Sequence, residues 1–365
     1  MTSSRTDPTR LLVESVKIYS PSSEEGSYAG YLTDAMKDLG YRHVRTDAAG
    51  NVLGEVGKGP RNLLLCGHMD TVPGRLPVRR TPRDVFGRGA ADAKAPLCAL
   101  LLAGAKSADA GVSITFAGAT REETDGYGVR SMVRRKPAFD YAVFGEPSGA
   151  GRLAVGYRGR VGMRVTLATE GGHAGAPWAN ASAFDGFLVL LSRLKEFESN
   201  LAVVGDRFRS LSISPTIIRA GTHHNVIPPS CEATFDIRLP PSVPGAEAQR
   251  SLRAAAADLG DGVNVKVEFD EVTDAYEAPR DSALVRAFER AILIRLKARP
   301  VLTRKTGTGD MNHFAATTAA TCVTYGPGRS EASHTAGESV AIKDYLGSID
   351  VLGEAIGQLA YLTNA

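Results

Sequence analysis

Short apolar runs separated by stretches of helical periodicity constrain this chain most. Residues 62–66, 112–117 and 141–144 read as strands, the last two of the continuously apolar kind that is buried on both faces. Between them, residues 95–108 read as a helix, with Pro96 tolerated in its first turn. Strands alternating with helices predict a mixed α/β domain: a mostly parallel sheet with helices on both faces. Ligands of such sheets gather outside the carboxyl ends of the strands. His68, Glu122 and Glu146 each fall just after one of the apolar runs.

Those three belong to a longer series. Asp92 lies in the Gly-rich segment 87–94, Glu123 adjoins Glu122, and His334 follows Ser333 in a polar stretch. Two His and three carboxylates suit a pair of zinc-like ions that share one carboxylate. The remaining carboxylate of the Glu122-Glu123 pair is then free to act as a base toward water. The expected chemistry is metal-dependent hydrolysis of an amide. Asp70, two residues after His68, is expected to accept from the imidazole ring and fix its tautomer. A pair of adjacent acids is ordinarily a solvated turn, but its position after an apolar strand argues for a cleft.

Composition narrows the alternatives. A chain of 365 residues, 43% hydrophobic and 23% charged, suits a globular protein of more than one domain. No apolar run is long enough to span a bilayer, and the first eight residues lack the apolar core of a signal peptide. Cys66, Cys98, Cys231 and Cys322 are far apart and form no CxxC pair, which fits a cytoplasmic protein. The net charge of +3 is small, and no nucleic-acid-binding motif accompanies it. Arg75, Arg79, Arg80, Arg83 and Arg88 cluster near the proposed site. Such a run is ordinarily solvated surface; the sharper expectation is a docking surface for an acidic partner.

The pattern changes near Tyr157. Strands are predicted at 161–169, 211–219, 231–239 and 263–269, and helices at 181–197 and 246–259. The order strand–helix–strand–strand–helix–strand is the split βαβ, ferredoxin-like plan. Residues 158–271 are therefore expected to be an inserted α+β domain. Residues 1–157 and 272–365 would form a discontinuous catalytic domain, resuming with helices at 282–296 and 342–362.

Several motifs together resemble the M20 metallopeptidase family. They are Gly67-His68-Met69-Asp70-Thr71-Val72-Pro73-Gly74, Phe86-Gly87-Arg88-Gly89-Ala90-Ala91-Asp92, Thr120-Arg121-Glu122-Glu123, and Phe144-Gly145-Glu146-Pro147. The inserted domain adds Gly171-Gly172-His173-Ala174-Gly175 and Phe235-Asp236-Ile237-Arg238. Within the family, segments 74–78, 92–96 and 305–312 look most like the amino-group carrier protein–lysine or –ornithine hydrolases. Ala95 stands where a glycine is common, and Gly309 where Ser or Ala is common.

The resemblance implies roles. His68 and Glu146 would hold one ion, Glu123 and His334 the other, and Asp92 would bridge. The ions would be two Zn²⁺ per chain, with Co²⁺ as a substitute. Glu122 would carry the proton from water to the leaving amine. His173 would reach the site of a second subunit and stabilise the oxyanion, so a homodimer is implied, with the inserted domain dimerising the chains. Arg238 would pair with the substrate carboxylate, and Asn225 and Gly309 would add contacts. The substrate would be lysine or ornithine linked to the C-terminal Glu of an acidic carrier protein. The competing readings are a small-molecule N-acyl amino acid deacylase and, from another class, a non-catalytic metal-binding scaffold.

Overall fold

In the computed structural model, residues 7–135 and 138–362 are described, the last two by backbone alone. The first six residues, read above for a leader, lie outside this set. The chain divides into two compact units. One contains Met1–Gly156, Glu277–Arg304 and Gly309–Ala365; the other contains Tyr157–Tyr276 and Lys305–Thr308.

The first unit is built on a nine-stranded sheet. Its centre is four parallel strands in the order Ser113–Ala119, Asn62–His68, Tyr141–Gly145, Thr321–Thr324. Antiparallel neighbours flank them, including Val52–Val56 on one side and Arg152–Tyr157 on the other. Leu63 to His68 are all buried, and since strand side chains alternate, both faces are covered. The helix Lys94–Lys106 is buried over its first eleven residues and packs on three of the parallel strands. A helix apolar all round belongs inside a core rather than on its surface. The helix Pro8–Lys17 begins as its sequence suggests: Asp7 accepts from the Arg10 amide at 2.7 Å and Pro8 occupies the first turn.

Three elements had no clear sequence signal. The strand Arg42–Thr46 is almost wholly polar and exposed, and the helix Tyr127–Val133 is only seven residues long. The third is a small sheet in the order Ser339–Ala341, Asp84–Phe86, Arg79–Arg80, whose strands are too short to show a period.

The second unit follows the split βαβ plan. Its strands are Gly159–Ala168, Ser212–Ala220, Ser230–Leu239 and Asn264–Phe269, and the helices are Ala183–Asn200 and Gly245–Ala255. Counted along the chain, the strands lie in the order second, third, first, fourth, all antiparallel. Val161, Met163, Val165 and Leu167 alternate into a core with Phe235 and Ile237, closed by Phe187, Leu190, Leu194 and Leu252 from the helices. Among the described residues no helix is long and apolar enough to cross a membrane.

Candidate active site

Strand register brings the first acidic and imidazole groups together. His68 ends its strand opposite Ala119, and Gly67 lies opposite both Gly118 and Gly145. The chain therefore leaves three adjacent parallel strands at one level, and Glu122, Glu123 and Glu146 follow within a few residues. Glycine at 67 and 145 allows the buried helix to sit close. A Cβ at Gly67 would lie 3.0 Å from Leu97 Cδ1, and one at Gly145 would lie 2.8 Å from Leu100 Cδ1. That helix starts two residues after Asp92, and its seating carries Asp92 to the same strand ends.

His68 is 1% exposed. Its Nδ1 lies 2.9 Å from the Asp70 main-chain carbonyl, with the Asp70 carboxylate at 3.5 Å. A carbonyl only accepts, so Nδ1 carries a proton, and Nε2 is the nitrogen that faces the carboxylates. The main-chain carbonyl of Asp70 is the nearer partner of that nitrogen, and its carboxylate lies beside it. The Asp70 carboxylate also accepts from Ser22 Oγ at 2.7 Å and from the amides of Glu122 and Glu123 at 3.0 and 3.1 Å. It holds the turn that presents both glutamates. Burial alone would raise its pKa, yet His68, Ser22 and the Glu122 amide bring it down to about 2.

Asp92 faces both halves of the cluster. Its Oδ1 lies 3.4 Å from His68 Nε2, which is also 3.7 Å from Glu146 Oε1. Its Oδ2 lies 3.4 Å from His334 Nε2, which is 2.9 Å from Glu123 Oε1. His334 adopts a left-handed backbone with φ of 62°. Burial drives the Glu122 carboxyl up to about 7 against the pull of His68, and Glu123, Asp92 and Asp70 push the same way as burial. Glu146 is raised well above its ordinary value by burial first and by Asp92.

Three residues at this site escaped the sequence reading. Glu338, 1% exposed, accepts from the amides of Ala91 and Asp92 at 3.0 Å each and from Arg88 Nη1 at 2.7 Å. It ties the Asp92 segment to the His334 segment. Nothing in Gly337-Glu338-Ser339 signals this, since all its partners lie some 250 positions away. Arg88 is consequently an internal anchor, unlike the exposed Arg75, Arg79, Arg80 and Arg83 with which its spacing grouped it. Lys94 is buried, and its Nζ donates to the carbonyls of Ser15 and Ile18 while lying 4.4 Å from the Tyr28 ring centre. Burial depresses its pKa to about 7. Asp310 is buried, with Oδ1 unpaired among the described residues, and burial together with Glu122 raises it well above the usual range.

These residues fit a metal. His68 Nε2 is buried without a hydrogen-bond partner and is directed among carboxylates. His68, Glu122 and Glu146, and likewise His68, Asp92 and Glu123, offer ligand atoms within 4.8 Å of one another. Buried carboxylates this close raise one another's proton affinity, and a bound cation relieves the same repulsion. Imidazole with carboxylate is a donor set that suits zinc and its neighbours in the transition series.

His173, Asn225 and Arg238 lie in the second unit. His173 and Asn225 meet where Gly172–His173 pairs with Val226–Ile227, and the Ala174 amide donates to the Asn225 carbonyl at 2.9 Å. The Gly175 amide donates to His173 Nδ1 at 2.9 Å, so in the neutral ring the exposed Nε2 carries the proton. Arg238 turns Nε and Nη2 to Asp236 at 2.6 and 3.3 Å and Nη1 to Thr308 Oγ1 at 3.4 Å. Gly309, in the first unit, donates its amide to Asn312 Oδ1 at 3.1 Å.

Known proteins bear on this site. The family described as Peptidase family M20/M25/M40 matches residues 64–358. The chain is 33% identical to the LysW-lysine hydrolase of Deinococcus radiodurans over 96% of both chains. It is 30% identical to the LysW-lysine/LysW-ornithine hydrolase of Saccharolobus solfataricus over 92% of both. Among solved structures, the aminopeptidase PepT of Bacillus cereus superposes with a TM-score of 0.84 at 18% identity, covering 98% of this chain and 99% of that one. The Bacillus subtilis YXEP protein, described as a dinuclear metal-binding peptidase of the M20 family, gives 0.75 at 13% identity, covering 100% and 99%. With a match that spans most of the sequence, the chain belongs to peptidase family M20/M25/M40, as a metal-dependent amide hydrolase.

Proposed function

We propose that this enzyme releases lysine or ornithine from the C-terminal Glu of an acidic amino-group carrier protein, the LysW of its relatives' names, in lysine or arginine biosynthesis. The observation that carries the reading is the alignment with such hydrolases over more than nine-tenths of both chains. A feature of the surface supports it. Arg75, Arg79, Arg80 and Arg83 are exposed on and beside the small sheet, and none is paired with a carboxylate among the described residues. Arg75 and Arg79 lie over the rings of Tyr19 and Phe86 at 4.4 and 3.9 Å. Their charge is thus free to attract an acidic protein.

His68 and Glu146 would hold one ion and Glu123 and His334 a second, with Asp92 shared between them. Two zinc ions, replaceable by cobalt, would supply a Lewis acid for the amide carbonyl and a lowered pKa for water. Glu122 takes the proton that water loses as its oxygen adds to the carbonyl carbon. It returns that proton to the nitrogen as the C–N bond breaks, and the new acid's own proton ends on the amine, giving a carboxylate on the carrier and an ammonium group on the amino acid. The Asp70 carboxylate steadies this step by holding the Glu122 amide. His173, whose Nε2 carries the proton, would donate to the developing oxyanion, with Asn225 beside it. Arg238 would take the carboxylate of the released amino acid.

A homodimer is part of the same reading. Ser212–Ala220 is an edge strand, exposed from Ser214 onward. Ile217 and Ile218 are 45% and 47% exposed, and the adjoining helix exposes Leu188 and Val189. An apolar edge of this kind calls for a partner.

The test compares turnover of carrier-linked lysine, carrier-linked ornithine and acetylornithine, with metal content measured. The proposal expects the carrier-linked substrates to be preferred and two ions per active chain. Chelation should abolish turnover, and zinc or cobalt should restore it. Preference for acetylornithine would make the enzyme a small-molecule deacylase. Fewer than one ion per chain in a fully active sample would overturn the two-metal assignment.

A further inference from the structure

Arg160 and Arg238 sit directly opposite each other in the four-stranded sheet. Like charges so placed ordinarily destabilise a sheet. Both side chains alternate with the buried Val161 and Ile237, so they stand on the face away from the two helices. Asp236, two residues before Arg238, is the carboxylate between them. It accepts from Arg160 Nε at 2.8 Å and from Arg238 Nε at 2.6 Å. Burial would raise its pKa, but the two guanidiniums outweigh burial and keep it ionised. Asp236 therefore grips both arginines by their inner edges.

The outer edges are left over. The terminal nitrogens of Arg160 have no partner among the described residues, and Arg238 Nη1 has only the long contact to Thr308. Asp270 leans over Gly162, one row further along the sheet, but makes no ion pair with either arginine among the described residues. Two planar forks steadied by one shared carboxylate leave positive charge on an open face. Such forks match carboxylates in geometry as well as charge.

We propose that Arg160 binds a second carboxylate of the substrate, the free α-carboxylate of the glutamate whose side chain bears the scissile amide. It would act beside Arg238, which takes the carboxylate of the released amino acid. This inference rests on the carrier-protein reading above. An amide on the side chain of a C-terminal glutamate carries both carboxylates, whereas an acetylated amino acid carries one. The Arg160–Arg238 pair would thus select γ-glutamyl amides over simple acyl groups.

Two synthetic peptides test it, each ending in a glutamate whose side chain is amide-linked to lysine. One has a free C-terminal carboxylate and the other an amidated terminus. The expected kcat/KM of the wild type favours the free acid by about 10- to 100-fold, the worth of a charge-assisted hydrogen bond. Arg160→Gln should bring the ratio close to one, and Arg160→Lys should recover part of it. An unchanged ratio, with both peptides slowed equally, would mean that Arg160 only steadies Asp236 and Arg238, and would overturn the proposal. So would a preference that appears with the intact carrier but not with the peptides, because the anion would then belong to the carrier's body. Turnover of acetylornithine, with none of carrier-linked lysine or either peptide, would overturn the carrier-protein reading itself and this inference with it. Turnover of carrier-linked lysine without a free-acid preference would sink the Arg160 inference alone.

Discussion

The separate tasks proposed for the neighbours Glu122 and Glu123 rest on where one turn points them. Glu123 meets His334, while Glu122 shares a ligand-sized space with His68 and Glu146. Glu122→Gln should keep both ions and lose kcat by at least about 10²- to 10⁴-fold, the usual contribution of a general acid–base group. Glu123→Gln should instead lower metal occupancy. A near-normal kcat in the first variant, read alongside its metal content, would take Glu122 out of the chemistry. Glu338 makes a different kind of prediction. Its removal leaves the nearly buried Arg88 and two amides without their acceptor. Glu338→Ala should therefore cost about 3–5 kcal/mol of stability, as breaking a buried pair does. Denaturant titration of the metal-loaded protein measures it, and an unchanged midpoint would show that the pair contributes little.

At the scale of elements, how much could be read from the sequence depends on how local the cause is. The parallel strands were legible because Leu63–Cys66, Phe116–Ala117 and Ala142–Phe144 are apolar on both faces. Their ends told where His68, the glutamate pair and Glu146 would gather. The partners of Asp70 were not legible. Spacing offered its side chain to His68, but not the nearer carbonyl contact to the ring, nor Ser22 and the two glutamate amides that the carboxylate binds. Glu338 and Asp310 were hidden because a buried carboxylate shows no period, and its partners are set by tertiary folding. The small sheet near Arg79–Arg80 carries the third prediction. Reversing Arg75, Arg79, Arg80 and Arg83 to Glu should raise KM for a carrier-linked substrate far more than for a small N-acyl amino acid. Added salt should weaken the wild-type carrier reaction, since exposed charges are screened over about 8–10 Å. Equal losses on both substrates would assign these arginines to the pocket or to folding, and no loss on either would leave them as solvated surface.

On the scale of the whole molecule, the two units differ in what they offer. One gathers the metal-binding side chains, and the other presents an exposed edge strand and the His173 turn. If two chains pair along that edge, Ile217→Asp with Ile218→Asp should yield monomers in sedimentation. Those monomers should keep their metal and lose activity, because His173 would no longer be supplied by a partner. Fully active monomers would mean that His173 serves its own chain or none.

The chain order of the site has a consequence for how the enzyme is born. His334 lies 211 positions beyond Glu123, and Glu338 lies 250 beyond Arg88. A ribosome therefore releases His68, Asp92 and the glutamates long before the imidazole and carboxylate that complete and brace them. During that interval the nascent strand ends hold at most part of a cage. Firm capture of metal must wait until synthesis has passed Glu338, so a truncated translation product should not hoard the cell's metal ions.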